Sequence, residues 1–208
     1  MSIACVINTN ALAVESGRLS SGRVPYADRA WLMRNVILPC YTSWNAGMFE
    51  EIVVVGEYEP GPGYTYVEFP SVYHNCADAL LKRQAGFECL KLAHEWVVFQ
   101  HDDHLYDPVN AVFAHEAASV LSPSRWTRAR ATTGEALNDG SAAGHLNGHV
   151  CLMRPSVLSV GGFNWAQLPP VFTWDVEATA RLRNIGQSLR YAPELKSWDM
   201  ERGATPWL

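Results

Sequence analysis

The run Gln100-His101-Asp102-Asp103-His104 sets two carboxylates and two imidazoles side by side, directly after the apolar segment Trp96-Val97-Val98-Phe99. On an extended chain neighbouring side chains point to opposite sides, so His101 and Asp103 are expected to share one side and Asp102 to face the other. Carboxylate oxygens at such a strand end suit a hard divalent cation that keeps positions open for phosphate oxygens. The plainer alternative is a loop in which Asp103 or Asp107 caps a following helix.

A second acidic group, Trp174-Asp175-Val176-Glu177, opens a segment of helical pattern that continues through Arg181 and Arg183. A carboxylate in a first helical turn is favoured by the helix dipole, which is its structural reading. Its chemical reading is a general base: beside bulky aromatic groups, Asp175 could take a proton from an acceptor hydroxyl. Arg125, Arg128 and Arg130, with Trp126 among them, make a basic stretch that is either a solvated surface or a polyanion contact. His145 and His149 stand four apart without the intervening pattern of a zinc helix. Among the tryptophans, Trp165 and Trp174 sit in polar surroundings and are candidates for stacking rather than core.

Something must position these groups. The chain has 208 residues, 48% hydrophobic and 18% charged, which excludes a disordered or acidic-tail protein and suffices for a real core. The balance of 16 Lys and Arg against 21 Asp and Glu argues against coating nucleic acid by bulk charge, though not against a local basic groove. No apolar stretch is long enough to span a membrane, and the N-terminal Ser2-Ile3-Ala4-Cys5-Val6-Ile7 lacks the basic lead-in of a secretory signal. Five cysteines without a C-x-x-C pair fit a reducing, cytoplasmic compartment.

The short β-branched run Ile3–Ile7 predicts a buried strand ending in Asn8-Thr9-Asn10. Helical spacing follows over 28–41, and Glu51-Ile52-Val53-Val54-Val55 is the clearest strand. A helix is expected over 75–93, weakened at Gly86, and a strand at Trp96–Phe99. Strand, helix, strand, helix, strand reads as an α/β unit with a parallel sheet, whose ligands lie at the carboxyl ends of the strands. Thr9, Glu57 and the Asp102-Asp103 pair are expected to converge there. Farther on, the pattern predicts a helix over 107–120, a polar stretch over 122–148, a strand at Val150–Met153, a helix over 173–185 stopped by Gly186, and a short strand at Leu189–Tyr191.

Taken together these segments resemble a glycosyltransferase of GT-A fold, nearest the inverting family-2 type. Val6-Ile7-Asn8-Thr9-Asn10 is similar to the opening strand, and Ile52-Val53-Val54-Val55-Gly56-Glu57 to the second, whose terminal acid contacts the nucleotide. The segment ending in His101-Asp102-Asp103 resembles the approach to an Asp-x-Asp motif, with His101 where the first Asp is usual. Gly148-His149-Val150-Cys151-Leu152-Met153-Arg154-Pro155, then Val160-Gly161-Gly162-Phe163, resemble the acceptor-side strand and its turn. Trp174-Asp175-Val176-Glu177 and Tyr191-Ala192-Pro193 resemble the base-bearing helix and the strand after it.

The resemblance implies one α/β domain over 1–208, with a mostly parallel, Rossmann-like central sheet flanked by helices: residues 1–104 take nucleotide-sugar and metal, 105–208 the acceptor. It implies a nucleotide-diphosphate sugar donor, UDP-sugar first, held by Thr9, Asn10, Glu57, Arg83 and Asp102. Mn2+ or Mg2+ would be held by Asp103, with Asp199 in the region where the family has a histidine. Asp175 would be the catalytic base, and Trp174, Glu177, Gly148, Arg125 and Arg128 would line the acceptor site. The acceptor is a saccharide hydroxyl or a hydroxymethylated base in DNA, as in phage DNA modification. Two other classes stay open: a metal-dependent nucleotide-sugar phosphohydrolase, which would split the donor without transfer, and a non-catalytic nucleotide-binding module, which would bind without turnover.

Overall fold

The computed structural model describes residues 1–9, 26–41, 49–57, 61, 64–70, 76–107, 109–130, 133, 135–141, 150–159, 174–187 and 189–201. Its centre is a seven-stranded sheet built around β1 (Ile3–Asn8), every residue of which is buried. β1 lies between β2 (Glu51–Gly56) and β4 (Trp96–His101), parallel to both, and β3 (Thr65–Glu68) extends the sheet beyond β2. On the other side β9 (Val150–Met153) runs antiparallel between β4 and β6 (Val120–Pro123), and β10 (Leu189–Ala192) adds parallel to β6. The order is β10-β6-β9-β4-β1-β2-β3, and β9 alone runs against the others. Strands buried on both faces need continuous apolar runs, which Cys5-Val6-Ile7, Val53-Val54-Val55 and Val97-Val98-Phe99 supply.

The chain moves from β1 outward to β2 and β3, then returns to β4 on the opposite flank of β1. Between the carboxyl ends of β1 and β4 lies a topological switch point, the place where open α/β sheets receive ligands. Asn8 pairs in register with His101 there.

Helix α1 (Tyr26–Leu32) continues through a π-helical turn, Met33–Ile37, and buries Leu32, Met33 and Ile37 against one face of the sheet. Helix α2 (Cys76–Glu88) covers the other face. It passes through Gly86 without a break and ends before the expected Ala93. A Cβ at Gly86 would come within 2.4 Å of Val6 Cγ1 and 2.8 Å of Val55 Cγ2, so this residue is a close-approach site rather than a helix breaker.

The expected helix over 107–120 is corrected to a short α3 (Val109–Ala114), because Val120 and Leu121 are buried in β6. The polar stretch after it also contains strands. β5 (His104–Asp107), β7 (Arg125–Arg130), β8 (Ala136–Ser141) and β11 (Lys196–Glu201) form a four-stranded sheet in the order β5-β11-β7-β8. After β9 comes the short helix α4 (Pro155–Ser159).

Helix α5 (Trp174–Asn184) buries Thr179 and Leu182 and ends at Gly186, whose φ of +74° and bond from Gln187 N–H to Leu182 O at 2.8 Å form an αL stop. A short connection leads from α5 into β10, which runs parallel to β6.

Candidate functional site

At the carboxyl end of β4 the chain turns through Asp102 and Asp103 into β5, leaving the first sheet for the second. The turn breaks strand alternation, which corrects the expectation that the two carboxylates face apart. Both meet one cation, the Arg29 guanidinium of α1: Nη1 donates to Asp102 Oδ1, and Nη2 lies 3.0 Å from Asp103 Oδ2. The other Asp103 oxygen pairs with His104 Nδ1 at 2.7 Å. Arg29, Asp102, Asp103 and His104 are all buried, so each charge needs a partner close by. Burial pushes the Asp103 carboxyl up, but the charges of Arg29 and His104, with a smaller pull from His101, hold it well below the usual carboxylate range.

The surrounding bonds fix this turn from three elements. The Met200 N–H of β11 donates to Asp103 O at 2.8 Å. Tyr41 Oη donates to Gln100 Oε1 at 2.6 Å, and Gln100 Nε2 donates to His104 O at 3.2 Å. Asn8 Nδ2 lies 3.4 Å from His101 Nδ1 across the β1–β4 pair.

The neighbouring strand end is polar as well. Thr9 N–H donates to Val55 O at 2.8 Å, and the Glu57 N–H donates to Thr9 Oγ1 at 3.2 Å. Gly56 has a φ of +140°, and a Cβ there would sit 2.3 Å from Thr9 Oγ1, so glycine lets the two strand ends close together. From α2, Lys82 Nζ donates to Thr9 O at 2.7 Å, and Arg83 Nε points to Asn8 Oδ1 at 3.5 Å. Both cations are buried beneath the strand ends. Burial pushes the thiol of Cys151 on β9 up to about 11, against a smaller downward pull from Arg83.

Thr9, Glu57, Asp102 and Asp103 therefore do converge at the carboxyl ends of β1, β2 and β4, with Arg83 under them. Backbone pairing sets Asp199 of β11 opposite His104 of β5 and Arg128 of β7, so Asp199 shares a register row with the Asp103 turn. Asp175, Trp174 and Glu177 open α5. Arg125 and Arg128 lie on β7. Nothing is described of the side chains of Asp175, Trp174, Glu177, Asp199, Arg125 and Arg128, and Asn10 and Gly148 lie outside the described residues. Sequence reasoning missed Arg29: a single arginine in an amphipathic helix, 73 positions from Asp102, carries no local signal.

The described residues do not fit a divalent metal as they stand. One Asp102 oxygen and both Asp103 oxygens accept from Arg29 or His104, and among the described residues no group of three or more His, Cys, Asp or Glu side chains is set to hold an ion. What the arrangement offers instead is a pair of strand ends with two cations buried against them, Lys82 bonded to Thr9 O and Arg83 close to Asn8.

No protein-family model matches the chain, and no curated protein sequence matches it. Solved structures do. An inositol-1-phosphate CTP transferase from T. maritima superposes with a TM-score of 0.53 at 14% identity, over 98% of this chain and 91% of that one. GalNAc-T7, solved with UDP, GalNAc and Mn2+, superposes with a TM-score of 0.59 at 9% identity, over 97% of this chain. The present chain spans only 44% of the GalNAc-T7 chain. At these identities the likeness is one of fold. The chain has the mixed α/β fold, a mostly parallel central sheet flanked by helices, that nucleotidyltransferases share with GT-A glycosyltransferases.

Proposed function

We propose that the protein is an inverting glycosyltransferase that moves a sugar from a nucleotide-diphosphate donor, UDP-sugar first, to an acceptor hydroxyl. The observation that carries the reading is the switch point between β1 and β4, where Asn8, Thr9, Glu57 and the Asp102-Asp103 turn meet above buried Lys82 and Arg83. The nucleotide lies across the strand ends, with Glu57 and Thr9 toward its base and ribose. The buried cations give this edge of the sheet a positive contribution that favours a diphosphate and the charge it gains on leaving.

Asp175, at the start of α5, acts as the base. Its carboxylate takes the proton of the acceptor hydroxyl, whose oxygen bonds to the anomeric carbon from the face opposite the diphosphate. The bond from that carbon to the phosphate oxygen breaks, its electron pair leaves with the nucleoside diphosphate, and the configuration inverts. Trp174 and Glu177, with Gly148, Arg125 and Arg128, belong to the acceptor side: a saccharide, or a hydroxymethylated base in DNA if the arginines meet phosphate.

Thermal unfolding with UDP, GDP, CDP and dTDP tests the donor site. One nucleotide is expected to raise the melting midpoint, and no rise with any of them ends the reading. Asp175→Asn is expected to lower transfer by about 10²–10⁴-fold with nucleotide binding unchanged. Transfer at the wild-type rate places the base elsewhere.

A second reading, nucleotidyl transfer from CTP, is favoured by the extent of the match to the CTP transferase, 91% of whose chain is covered. It predicts a rise with CTP and release of pyrophosphate, which glycosyl transfer does not produce.

A further inference from the structure

We propose that the Arg29 guanidinium is the resident cation of this site, occupying the carboxylate pair that would otherwise recruit Mn2+ or Mg2+. The part concerning the donor rests on the glycosyltransferase reading. The occupancy of the carboxylates does not.

Three observations carry it. Arg29 reaches both Asp102 and Asp103, with separate nitrogens, from a helix on one face of the sheet. A guanidinium is planar, always charged, and rich enough in N–H donors to hold two carboxylates at once. The pair is also buried: Asp102 is 1% exposed and Asp103 6%. For a divalent ion to enter, the guanidinium must leave both carboxylates and stay close to a like charge in a dry setting, or swing its helix away. Finally, the remaining Asp103 oxygen is tied to His104, and its peptide carbonyl to Met200, so the turn is braced in the geometry that suits Arg29.

Arg29 thus acts as a positioning and charge-compensating residue. It keeps the turn after β4 folded as a paired unit and cancels half the charge of its two carboxylates, so that less negative charge faces a diphosphate beside Lys82 and Arg83. Donor binding then needs no added metal. Removing the guanidinium should turn the same two carboxylates into a divalent-cation site.

The test follows free Mn2+ by its electron paramagnetic resonance signal during titration with the full-length protein, without nucleotide. Wild type and Arg29→Lys are expected to leave Mn2+ free. Arg29→Met is expected to bind it at least about tenfold more tightly than wild type, and Arg29→Met combined with Asp103→Asn to lose that gain. Wild-type uptake of Mn2+ that Asp103→Asn abolishes overturns the proposal, and this arm holds even if Arg29→Met does not fold. A second arm measures UDP binding to wild type by calorimetry in EDTA and in Mn2+. Equal affinity within about threefold is expected, and about tenfold or greater dependence on Mn2+ overturns the proposal. If no nucleotide binds in either buffer, the donor reading fails while the Mn2+ titration still decides the role of Arg29.

Discussion

The two ends of the central sheet are both polar, and they are built on different physics. At the amino ends, Glu51 accepts from the N–H groups of Lys91 and Leu92 and pairs with His94 Nε2 at 3.1 Å. Ser2 Oγ completes that group, 2.7 Å from His94 Nδ1. Nearby the Arg154 guanidinium stacks 4.4 Å from the Trp96 ring and donates to Ala118 O and Glu116 O. These contacts fasten loops to the sheet, and most of their members keep some contact with water. At the carboxyl ends, by contrast, full charges are buried together: Arg29 with Asp102 and Asp103, and Lys82 and Arg83 below the strand ends.

Burying ion pairs is a weak way to gain stability, since desolvation offsets much of the attraction. An end that concentrates them serves something other than fastening. The amino end is where stability is secured cheaply, and the carboxyl end is where charge is held ready at a fixed place.

That contrast breaks first at Asp102. Replacing it with Ala strands part of the charge of a buried guanidinium, so urea unfolding should show a loss of about 3–5 kcal/mol. A loss below about 1 kcal/mol would mean that water reaches Arg29 and the two ends are alike.

Acid should separate the ends next. Because the folded Asp103 carboxyl ionises well below its ordinary value of 3.8, its contribution is complete above that value and is lost as the pH falls through and below it. Stability followed from about pH 6 to pH 2.5 should fall more steeply in wild type than in Asp103→Asn. Parallel curves would remove Asp103 as the source.

At the amino end, Arg154→Met removes the stack on Trp96 and two bonds to backbone carbonyls. The expected loss is about 1–2 kcal/mol by denaturant unfolding, with nucleotide affinity untouched. A change in that affinity would show the two ends to be coupled. The smallest effect belongs to Glu51→Gln, which keeps the shape of the group at a partly exposed position. It should cost about 1 kcal/mol or less and leave binding unchanged.

The middle of the central sheet was legible because β1, β2 and β4 are largely buried on both faces and so are written in near-continuous apolar residues, whereas the short strands β3 and β6 of the same sheet were not foreseen. Ile3–Ile7, Ile52–Val55 and Trp96–Phe99 carry that requirement openly. The second sheet hides. Arg-Trp-Thr-Arg-Ala-Arg and Ala-Leu-Asn-Asp-Gly-Ser have no strong strand preference of their own, and their strand form comes from pairing β7 with β8 and β11.

The same division runs through the site. Thr9, Glu57 and the two aspartates could be placed together because each follows a readable strand. The shared orientation of Asp102 and Asp103 could not, because the alternation rule stops where a strand becomes a turn. Arg29 was out of reach because its partner is set by how α1 packs, which no local pattern encodes.

Gly86 carries a consequence beyond packing. It lies one helical turn after Lys82, so the two residues share a face of α2. Where Gly86 touches Val6 and Val55, the absent side chain sets the height at which the whole helix rides over the sheet. A lysine has a limited reach, and from that height Nζ meets Thr9 O at 2.7 Å. The glycine is thus a spacer gauge: a residue with neither charge nor side chain determines how far below the strand end a buried positive charge is seated.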